Sequence, residues 1–382
     1  MYLIRNVNLY DPMPKGVCDI LTAGGQIAAV GKDLRPALPG VKEIDGSGMT
    51  AVPGFIDQHV HVTGGGGEGG FESRTPEVNL SSMIKAGVTT VVGLLGTDSF
   101  TRSVESLIAK TKALKREGIT AYCLTGAYIY PSPTVTGSVA KDIVYIDEVL
   151  GCKLAISDHR GSRPTKEELI RLASDIRMAA LVSGKPGVLH LHVGAIGRTL
   201  DDIMEICEEA EIPIKHFRPT HLDCHPAAAK RFMAKGGWAD FTAEPSQTDV
   251  LHAVIKEAGI KRLTVSSDAG GSIPVWNETR DAVVDVLVGG MEPLYEIIRN
   301  LVVDFNVPME EAIQLITSNV AKALELYPRK GCLLAESDAD LVLLDGDLQV
   351  DTVMAKGRLM MRGKKLLAKG SFEQVPLYKE ED

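Results

Sequence analysis

His59 and His61 stand two residues apart at the end of an apolar run that begins at Phe55. Because side chains at positions i and i+2 of a β-strand share a face, the two imidazoles are predicted to point the same way. Paired imidazoles at the mouth of a barrel strand make half of a zinc-type metal site. Two hydrogen-bonded core histidines would have the same spacing, so the pair alone leaves both interpretations open.

Three further residues of metal-ligand type end other apolar runs. They are His192 in the run 188–193, His221 in the run 214–221 and Asp268 after the run 263–267. Imidazole nitrogens and carboxylate oxygens are common ligands of zinc and similar divalent ions. Such residues at several run ends favour a mononuclear or binuclear metal centre. His190 shares a face with His192 one layer deeper, and it is predicted to be a hydrogen-bonded core residue.

The elements that must position these side chains alternate between two periodicities. Short apolar runs are found at 55–61, 88–95, 120–125, 149–155, 188–193, 214–221, 239–243 and 263–267. Helix-like stretches lie between them, at 104–117, 166–183, 200–211, 227–235 and 249–258. This alternation is typical of a parallel α/β fold, and eight strands favour a (β/α)8 TIM-like barrel over an open doubly wound sheet. The predicted ligands then lie at the C-terminal strand ends, where barrels carry their active sites.

Both ends of the chain have β-type patterns instead. Alternating stretches occur at 2–10, 19–23, 26–30, 339–344, 351–355 and 358–361, and turn signals separate them. We therefore predict a small β-sandwich domain built from residues 1–52 plus 326–382. The barrel domain is predicted to be inserted between them, over residues 53–325.

Several longer motifs accompany the predicted ligands. They are PGFIDQHVH at 53–61, GGGGE at 64–68, GTDS at 96–99, GAY at 126–128, AISDHR at 155–160, SDAGGS at 267–272 and DADLV at 338–342. Together with the later histidines, these stretches resemble the amidohydrolase superfamily and, within it, the isoaspartyl dipeptidase family. They run in family order over nearly the whole chain.

The resemblance implies two zinc ions or other divalent metals. It gives the first metal to His59, His61 and Asp268, the second to His192 and His221, and the bridge to an N6-carboxylated Lys153. General chemistry is compatible with that bridge, because an ammonium between two dications would be repelled and its pKa lowered. The neutral amine can react with carbon dioxide to give an anionic carbamate.

The resemblance also implies a mechanism. A metal-bridging hydroxide would attack the β-aspartyl amide bond, and Asp268 would pass its proton to the leaving amine. One metal and the Tyr128 hydroxyl would polarise the carbonyl oxygen. The expected reaction is metal-dependent hydrolysis of isoaspartyl dipeptides.

Recognition of a small dipeptide is implied for a second group of residues. By resemblance, Glu68 binds the free α-amino group, while Thr97 and Ser272 help to bind the α-carboxylate. Arg160 would bind the carboxylate of the leaving residue, since a guanidinium suits a carboxylate. The glycines before Glu68 are expected to let backbone approach the ligand closely.

One position departs from the family pattern. The family carries a second carboxylate-binding arginine three residues after the zinc histidine, where this chain has Cys224. A cysteine cannot supply that charge, so we expect a raised Michaelis constant for simple isoaspartyl dipeptides or a preference for another substrate. Arg163, Arg218 or Arg231 are candidates to compensate.

Other functions remain as alternatives. The same metals serve cyclic-amide hydrolases of the hydantoinase and dihydroorotase type, and N-acyl amino acid hydrolases are a further possibility. A non-catalytic barrel scaffold would not require the full ligand set. A nucleic-acid binder is disfavoured, because 50 acidic residues against 41 Lys and Arg give a net charge of −9.

The cellular context is predicted from absences in the sequence. No apolar run approaches the length of about 20 residues that spans a bilayer, so no membrane partner is expected. The six cysteines form no CxxC pair and the N-terminus is a poor signal peptide, which favours the cytoplasm. We also expect a homo-oligomer.

Overall fold

The computed structural model describes residues 1–37, 39–194, 200–279 and 283–373. The chain opens with five strands, β1 (Tyr2–Asp11), β2 (Met13–Ala23), β3 (Gln26–Gly31), β4 (Lys42–Asp45) and β5 (Thr50–Pro53). β1 pairs with β2 in antiparallel fashion and with β4 and β5 in parallel. The β-rich N-terminal segment predicted from the sequence is therefore present.

Eight strands then alternate with helices. They are β6 (Phe55–Val60), β7 (Val88–Gly93), β8 (Thr120–Gly126), β9 (Val149–Ala155), β10 (Val188–His192), β11 (Phe217–Thr220), β12 (Ala239–Thr242) and β13 (Leu263–Ser266). β6 to β11 form one sheet in chain order, and all of its pairings are parallel. β12 and β13 form a second parallel pair. The mixed α/β character predicted from the sequence is confirmed.

After β13 the chain contacts β6, the first of these eight strands. The backbone N–H of His61 donates to the Ala269 carbonyl at 2.8 Å, and the N–H of Asp268 donates to the His59 carbonyl at 3.1 Å. These two bonds bring the ends of β6 and β13 together. They also place His59 of β6, and His61 directly after the strand, beside Asp268.

Ten α-helices are present among the described residues. They are α1 (Leu80–Lys85), α2 (Val104–Glu117), α3 (Val139–Tyr145), α4 (Lys166–Ser183), α5 (Asp201–Glu209), α6 (Pro226–Ala234), α7 (Thr248–Ala258), α8 (Pro293–Val303), α9 (Met309–Ala312) and α10 (Ser318–Ala323). α4 begins with a capping box between Thr165 and Glu168 and ends at Gly184 in the left-handed conformation. None of the described helices combines the length and apolarity that a bilayer crossing requires.

Two details differ from the sequence prediction. The run 214–221 is not a continuous strand, because Ile214–His216 form a 3-10 turn closed by a hydrogen bond from the His216 N–H to the Pro213 carbonyl. A hairpin that the pattern did not indicate, β14 (Ser272–Trp276) and β15 (Val283–Val288), follows the end of β13.

The C-terminal strands join the N-terminal ones in a nine-stranded sheet. They are β16 (Leu341–Leu344), β17 (Val350–Ala355), β18 (Arg358–Arg362) and β19 (Lys365–Leu366). β16 pairs antiparallel with β5, so strands from both ends of the chain meet. The buried Lys330 contacts the Asp338 carboxylate at 2.8 Å and also Asp340 of the 338–342 motif, which ties this motif to the fold. Residues 374–382 of the predicted second segment lie outside the described residues.

Candidate active site

His59, His61 and Asp268 meet at the junction of β6 and β13. The Nε2 atoms of both histidines lie 3.1 Å from Asp268 Oδ1. Nitrogen and oxygen atoms of these three residues all lie within 4.8 Å of one another, which is compact enough to hold a metal ion. Within the described part of the chain, the buried His61 Nδ1 has no hydrogen-bond partner, and Asp268 Oδ1 has no contact of this kind beyond the two histidine nitrogens. A donor set of two imidazoles and a carboxylate with such uncommitted atoms fits a divalent metal.

Lys153 of β9 contacts this group through His59. Its Nζ atom is 3.3 Å from His59 Nε2, and the side chain is fully buried. Burial lowers the pKa of Lys153 to about 7, although the carboxylates of Asp268 and Asp240 act in the opposite direction. A substantial fraction of the amine is therefore neutral near neutral pH. Carboxylation of Lys153, which the family resemblance implies, requires the neutral amine.

His192 and His221 form a second pair of neighbouring rings, next to His59. Their ring centroids are 4.5 Å apart, and the His221 ring is 5.2 Å from that of His59. His192 Nδ1 contacts the Tyr128 hydroxyl at 2.7 Å, while His221 Nδ1 contacts Thr242 Oγ1 at 2.7 Å. The structure thus brings the six predicted ligands into one region. His192 and His221 are not part of the three-residue group formed at Asp268.

Burial favours the neutral form of His59, His192 and His221. It lowers the pKa of His59 to about 3 and that of His192 to about 4, and it moves the pKa of His221 well below the usual value. Neutral imidazole is the form that binds metals. His190 is buried and hydrogen-bonded, as predicted. Its Nε2 atom lies 3.1 Å from His59 Nδ1, the ring nitrogen of His59 that does not face Asp268.

Glu68 forms hydrogen bonds with three other residues that are predicted to recognise the substrate. Its carboxylate accepts hydrogen bonds from Thr97 Oγ1 at 2.7 Å, from Ser272 Oγ at 2.9 Å and from Arg160 Nη1 at 2.9 Å. Glu68, Thr97, Tyr128, Arg160 and Ser272 all line one cavity of about 590 Å³, together with His61, His192, His221 and Asp268. The predicted recognition residues and four of the predicted ligands therefore share a single pocket.

The glycine-rich loop before Glu68 is shaped by packing. A Cβ atom at Gly64 or Gly66 would lie 2.3 Å from a backbone carbonyl oxygen of Thr75 or Ser73, respectively. Both glycines also have positive φ. Gly64 and Gly66 are thus needed where the loop packs against residues 73–75, and Gly65 and Gly66 also line the cavity, so close approach of this backbone to a ligand stays a prediction.

Arg102 contacts the same loop, a role that the sequence pattern does not indicate. Its Nη2 donates to the Gly65 and Thr75 carbonyls at 2.9 and 2.8 Å, and its Nη1 donates to the Thr63 carbonyl. Arg102 belongs to none of the motifs and lies just before α2. The sequence pattern therefore does not indicate that it binds the carbonyls of this loop. Asp158, inside the motif at 155–160, contacts both Arg160 and His192, and the motif alone does not indicate this position.

The three arginines considered as substitutes at Cys224 lie in different environments. Arg218 is fully buried and donates to Gln58 and to the Ala323 carbonyl, while Arg231 pairs with Asp201 on the surface. Arg163 lines the cavity together with Cys224. Of the three candidates, only Arg163 is among the residues that line this pocket.

These features define the class of protein. A profile of the amidohydrolase family matches residues 50–360, and the chain belongs to this family of hydrolytic enzymes. Within the family it resembles the beta-aspartyl dipeptidases. The crystal structure of the Fervidobacterium islandicum AW-1 enzyme in complex with beta-Asp-Leu dipeptide is 36% identical, with a TM-score of 0.90 over 99% of this chain and 100% of that chain.

More distant relatives act on other compounds. A dihydroorotase of Elusimicrobium minutum is 24% identical over 90% of this chain and 88% of its own length. The dihydropyrimidinase of Brevibacillus agri NCHU1002 is 18% identical with a TM-score of 0.67, covering 97% of this chain and 96% of its own. This second likeness is one of fold alone.

Proposed function

We propose that this protein is a metal-dependent isoaspartyl dipeptidase that cleaves the β-aspartyl amide bond of small dipeptides. The observation that carries the proposal is the Glu68 carboxylate, which has Thr97, Ser272 and Arg160 around it in the pocket of the histidine and Asp268 cluster. An acidic group is suited to the free ammonium of an isoaspartyl residue, and the hydroxyls and guanidinium are suited to carboxylates. The 36% identity to a beta-aspartyl dipeptidase supports the same substrate class.

Two divalent metal ions, of which zinc is one candidate, are proposed to be the cofactors. His59, His61 and Asp268 would hold the first ion, His192 and His221 the second, and N6-carboxylated Lys153 both. When bound, such ions lower the pKa of water and polarise a carbonyl group. Carboxylation would also turn a buried cationic group into an anionic ligand.

The chain's own groups account for proton movement. A water molecule adds to the amide carbonyl carbon, and Asp268 accepts the proton that the water loses. Burial favours protonated Asp268, yet the neighbouring His59 and His61 keep its pKa well below the usual value, so its carboxylate is available as a base. Asp268 then transfers the proton to the leaving nitrogen as the C–N bond breaks, which releases aspartate and an amine.

Tyr128 would stabilise the carbonyl oxygen. Its hydroxyl lies in the cavity and contacts His192 Nδ1, and burial raises the pKa of Tyr128 well above its usual value. The phenol is therefore protonated and can donate a hydrogen bond to the developing oxyanion.

The fold would serve this chemistry as a closed (β/α)8 barrel. The parallel order of β6 to β11, the β12–β13 pair and the contacts between β6 and the end of β13 support closure. We also propose the domain division at residues 1–52 plus 326–382 and 53–325, with the terminal strands forming a β-sandwich. The cytoplasmic location and the homo-oligomeric state remain predictions.

A cyclic-amide hydrolase is the second candidate, and the dihydroorotase relative is the observation that favours it. An N-acyl amino acid hydrolase is a third. The deciding experiment couples metal analysis of the purified protein to hydrolysis assays with isoaspartyl dipeptides, cyclic ureides and N-acyl amino acids. Isoaspartyl cleavage with about two metal ions per chain is the expected result. Absence of hydrolysis of all three classes after addition of zinc and bicarbonate would contradict the proposal.

A further inference from the structure

Asp158 lies in the loop after β9 and contacts two functional side chains at once. Its Oδ2 atom is 2.8 Å from His192 Nε2 and 2.7 Å from Arg160 Nη2. Its Oδ1 atom accepts from the backbone N–H and Nε of Arg160 at 2.8 and 3.0 Å. The proposed reaction assigns no role to this nearly buried carboxylate, whose side chain is 7% exposed.

The contact with His192 determines which imidazole nitrogen is free. The Asp158 carboxylate accepts three hydrogen bonds from Arg160, through its backbone N–H, Nε and Nη2, and it therefore faces the imidazole as a carboxylate paired with a guanidinium. An ionised carboxylate only accepts hydrogen bonds, so His192 Nε2 carries the proton. The lone pair of His192 then resides on Nδ1, where the Tyr128 hydroxyl donates at 2.7 Å. A metal bound at Nδ1 would replace this hydrogen bond and free the Tyr128 hydroxyl to donate to the carbonyl oxygen.

The contacts with Arg160 fix a second group. Asp158 binds the guanidinium through Nε and Nη2, while Nη1 donates to Glu68 at 2.9 Å. A two-point carboxylate–guanidinium pair restricts the rotation of the arginine. The position of Arg160 relative to the pocket is therefore set by the same carboxylate that orients His192.

We propose that Asp158 is a positioning residue that presents His192 Nδ1 to the second metal and holds Arg160 for the carboxylate of the leaving residue. This inference rests on the proposed function. It makes metal binding and substrate recognition depend on one side chain. Partners of this kind, outside the ligands themselves, orient metal-binding histidines in many sites.

Metal affinity provides the first test, because it does not require turnover. Asp158→Ala and Asp158→Asn are compared with the parent by competition against a chromophoric chelator. Asp175→Asn, on the exposed side of α4, is the control for the lost charge. We expect Asp158→Ala to weaken one of two bound ions by about 10- to 100-fold and to leave the other unchanged. The Asn variant keeps a carbonyl acceptor for His192 Nε2–H, so it should retain more of the affinity.

Cobalt spectra and substrate kinetics separate positioning from general damage. The visible absorption of the cobalt-loaded protein should change for the second ion in Asp158→Ala and remain as in the parent for Asp175→Asn. The KM for isoaspartyl-leucine should rise about tenfold or more in Asp158→Ala, while the KM for isoaspartyl-leucine amide, which lacks the terminal carboxylate, should change less.

Several outcomes would overturn the inference. Parent-like affinity for both ions in Asp158→Ala excludes a role at His192, and equal KM changes for the acid and the amide exclude one at Arg160. A parent protein that binds a single ion contradicts the binuclear centre and, with it, this inference. A parent that binds two ions but cleaves no isoaspartyl substrate contradicts the proposed substrate, while the metal competition still decides the role of Asp158 at His192.

Discussion

The Lys153 amine lies 3.3 Å from the His59 imidazole, and neither side chain is more than 1% exposed. A charged ammonium is costly in such a place, which is why burial lowers the pKa of Lys153 to about 7. The unfolded chain binds this proton up to a pH near 10.5, the usual value for lysine. The metal-free folded protein loses this proton at a lower pH, near 7.

This difference predicts a pH dependence of stability. Between pH 7 and 10.5 the unfolded chain binds more protons at Lys153 than the folded protein does. The contribution of Lys153 to the free energy of unfolding therefore rises with pH in this window, and it is lowest at and below about pH 7. The slope from this one group is at most about 1.4 kcal/mol per pH unit. Lys153→Met should remove it. Denaturant unfolding of metal-free protein in CO2-free buffers measures the effect, with the exposed Lys261→Met as control. Equal slopes in the parent and Lys153→Met would contradict the burial argument.

Glu68→Gln distinguishes the two leading substrate classes. Removing the negative charge weakens the contact with a free ammonium, and loss of a hydrogen bond to a charged group costs about 1.5–3 kcal/mol. We therefore expect kcat/KM for isoaspartyl dipeptides to fall about 10- to 100-fold or more. Glu72→Gln, an exposed neighbour, should leave it unchanged. If the protein is instead a cyclic-amide hydrolase, its activity should survive in Glu68→Gln.

Cys224→Arg tests the departure from the family pattern. Cys224 is exposed and lines the cavity, so an arginine there could reach the carboxylate of the leaving residue. The KM for isoaspartyl-leucine should fall by about 10- to 100-fold, the effect of one charge-assisted contact. Cys224→Ser adds no charge and is the matched control. A parent with low KM that is unaffected by Cys224→Arg would show that Arg160 or Arg163 already suffices.

Arg102→Met should disturb recognition without removing metal. The guanidinium donates to three loop carbonyls, and the methionine leaves these acceptors without their donor. We expect a several-fold higher KM for isoaspartyl substrates, unchanged metal content and a loss of about 1.5–3 kcal/mol in the free energy of unfolding. Arg116→Met, exposed near the end of α2, is the control. Loss of metal in Arg102→Met would mean that the loop also supports the metal centre.

The sequence by itself determined the class of fold and the identity of the candidate ligands. Alternating hydrophobic patterns reflect local periodicity, and the helix bounds 104–117 and 166–183 agree with α2 and α4. Histidine and aspartate at strand ends could be identified for the same reason. The order of the chain places the C-terminal ends of parallel strands at one edge.

Only the tertiary structure decided which groups support those ligands. Arg102 acts on residues 63–75, and Asp158 acts on His192, across distances in sequence that no local pattern encodes. Arg218, a candidate for the pocket by sequence, is buried against Gln58 and Ala323 instead. Side-chain environment depends on packing between elements, and periodicity specifies a face but not the partner that covers it. For that reason the candidate ligands could be named from the sequence, while the contacts made by Arg102 and Asp158 could not.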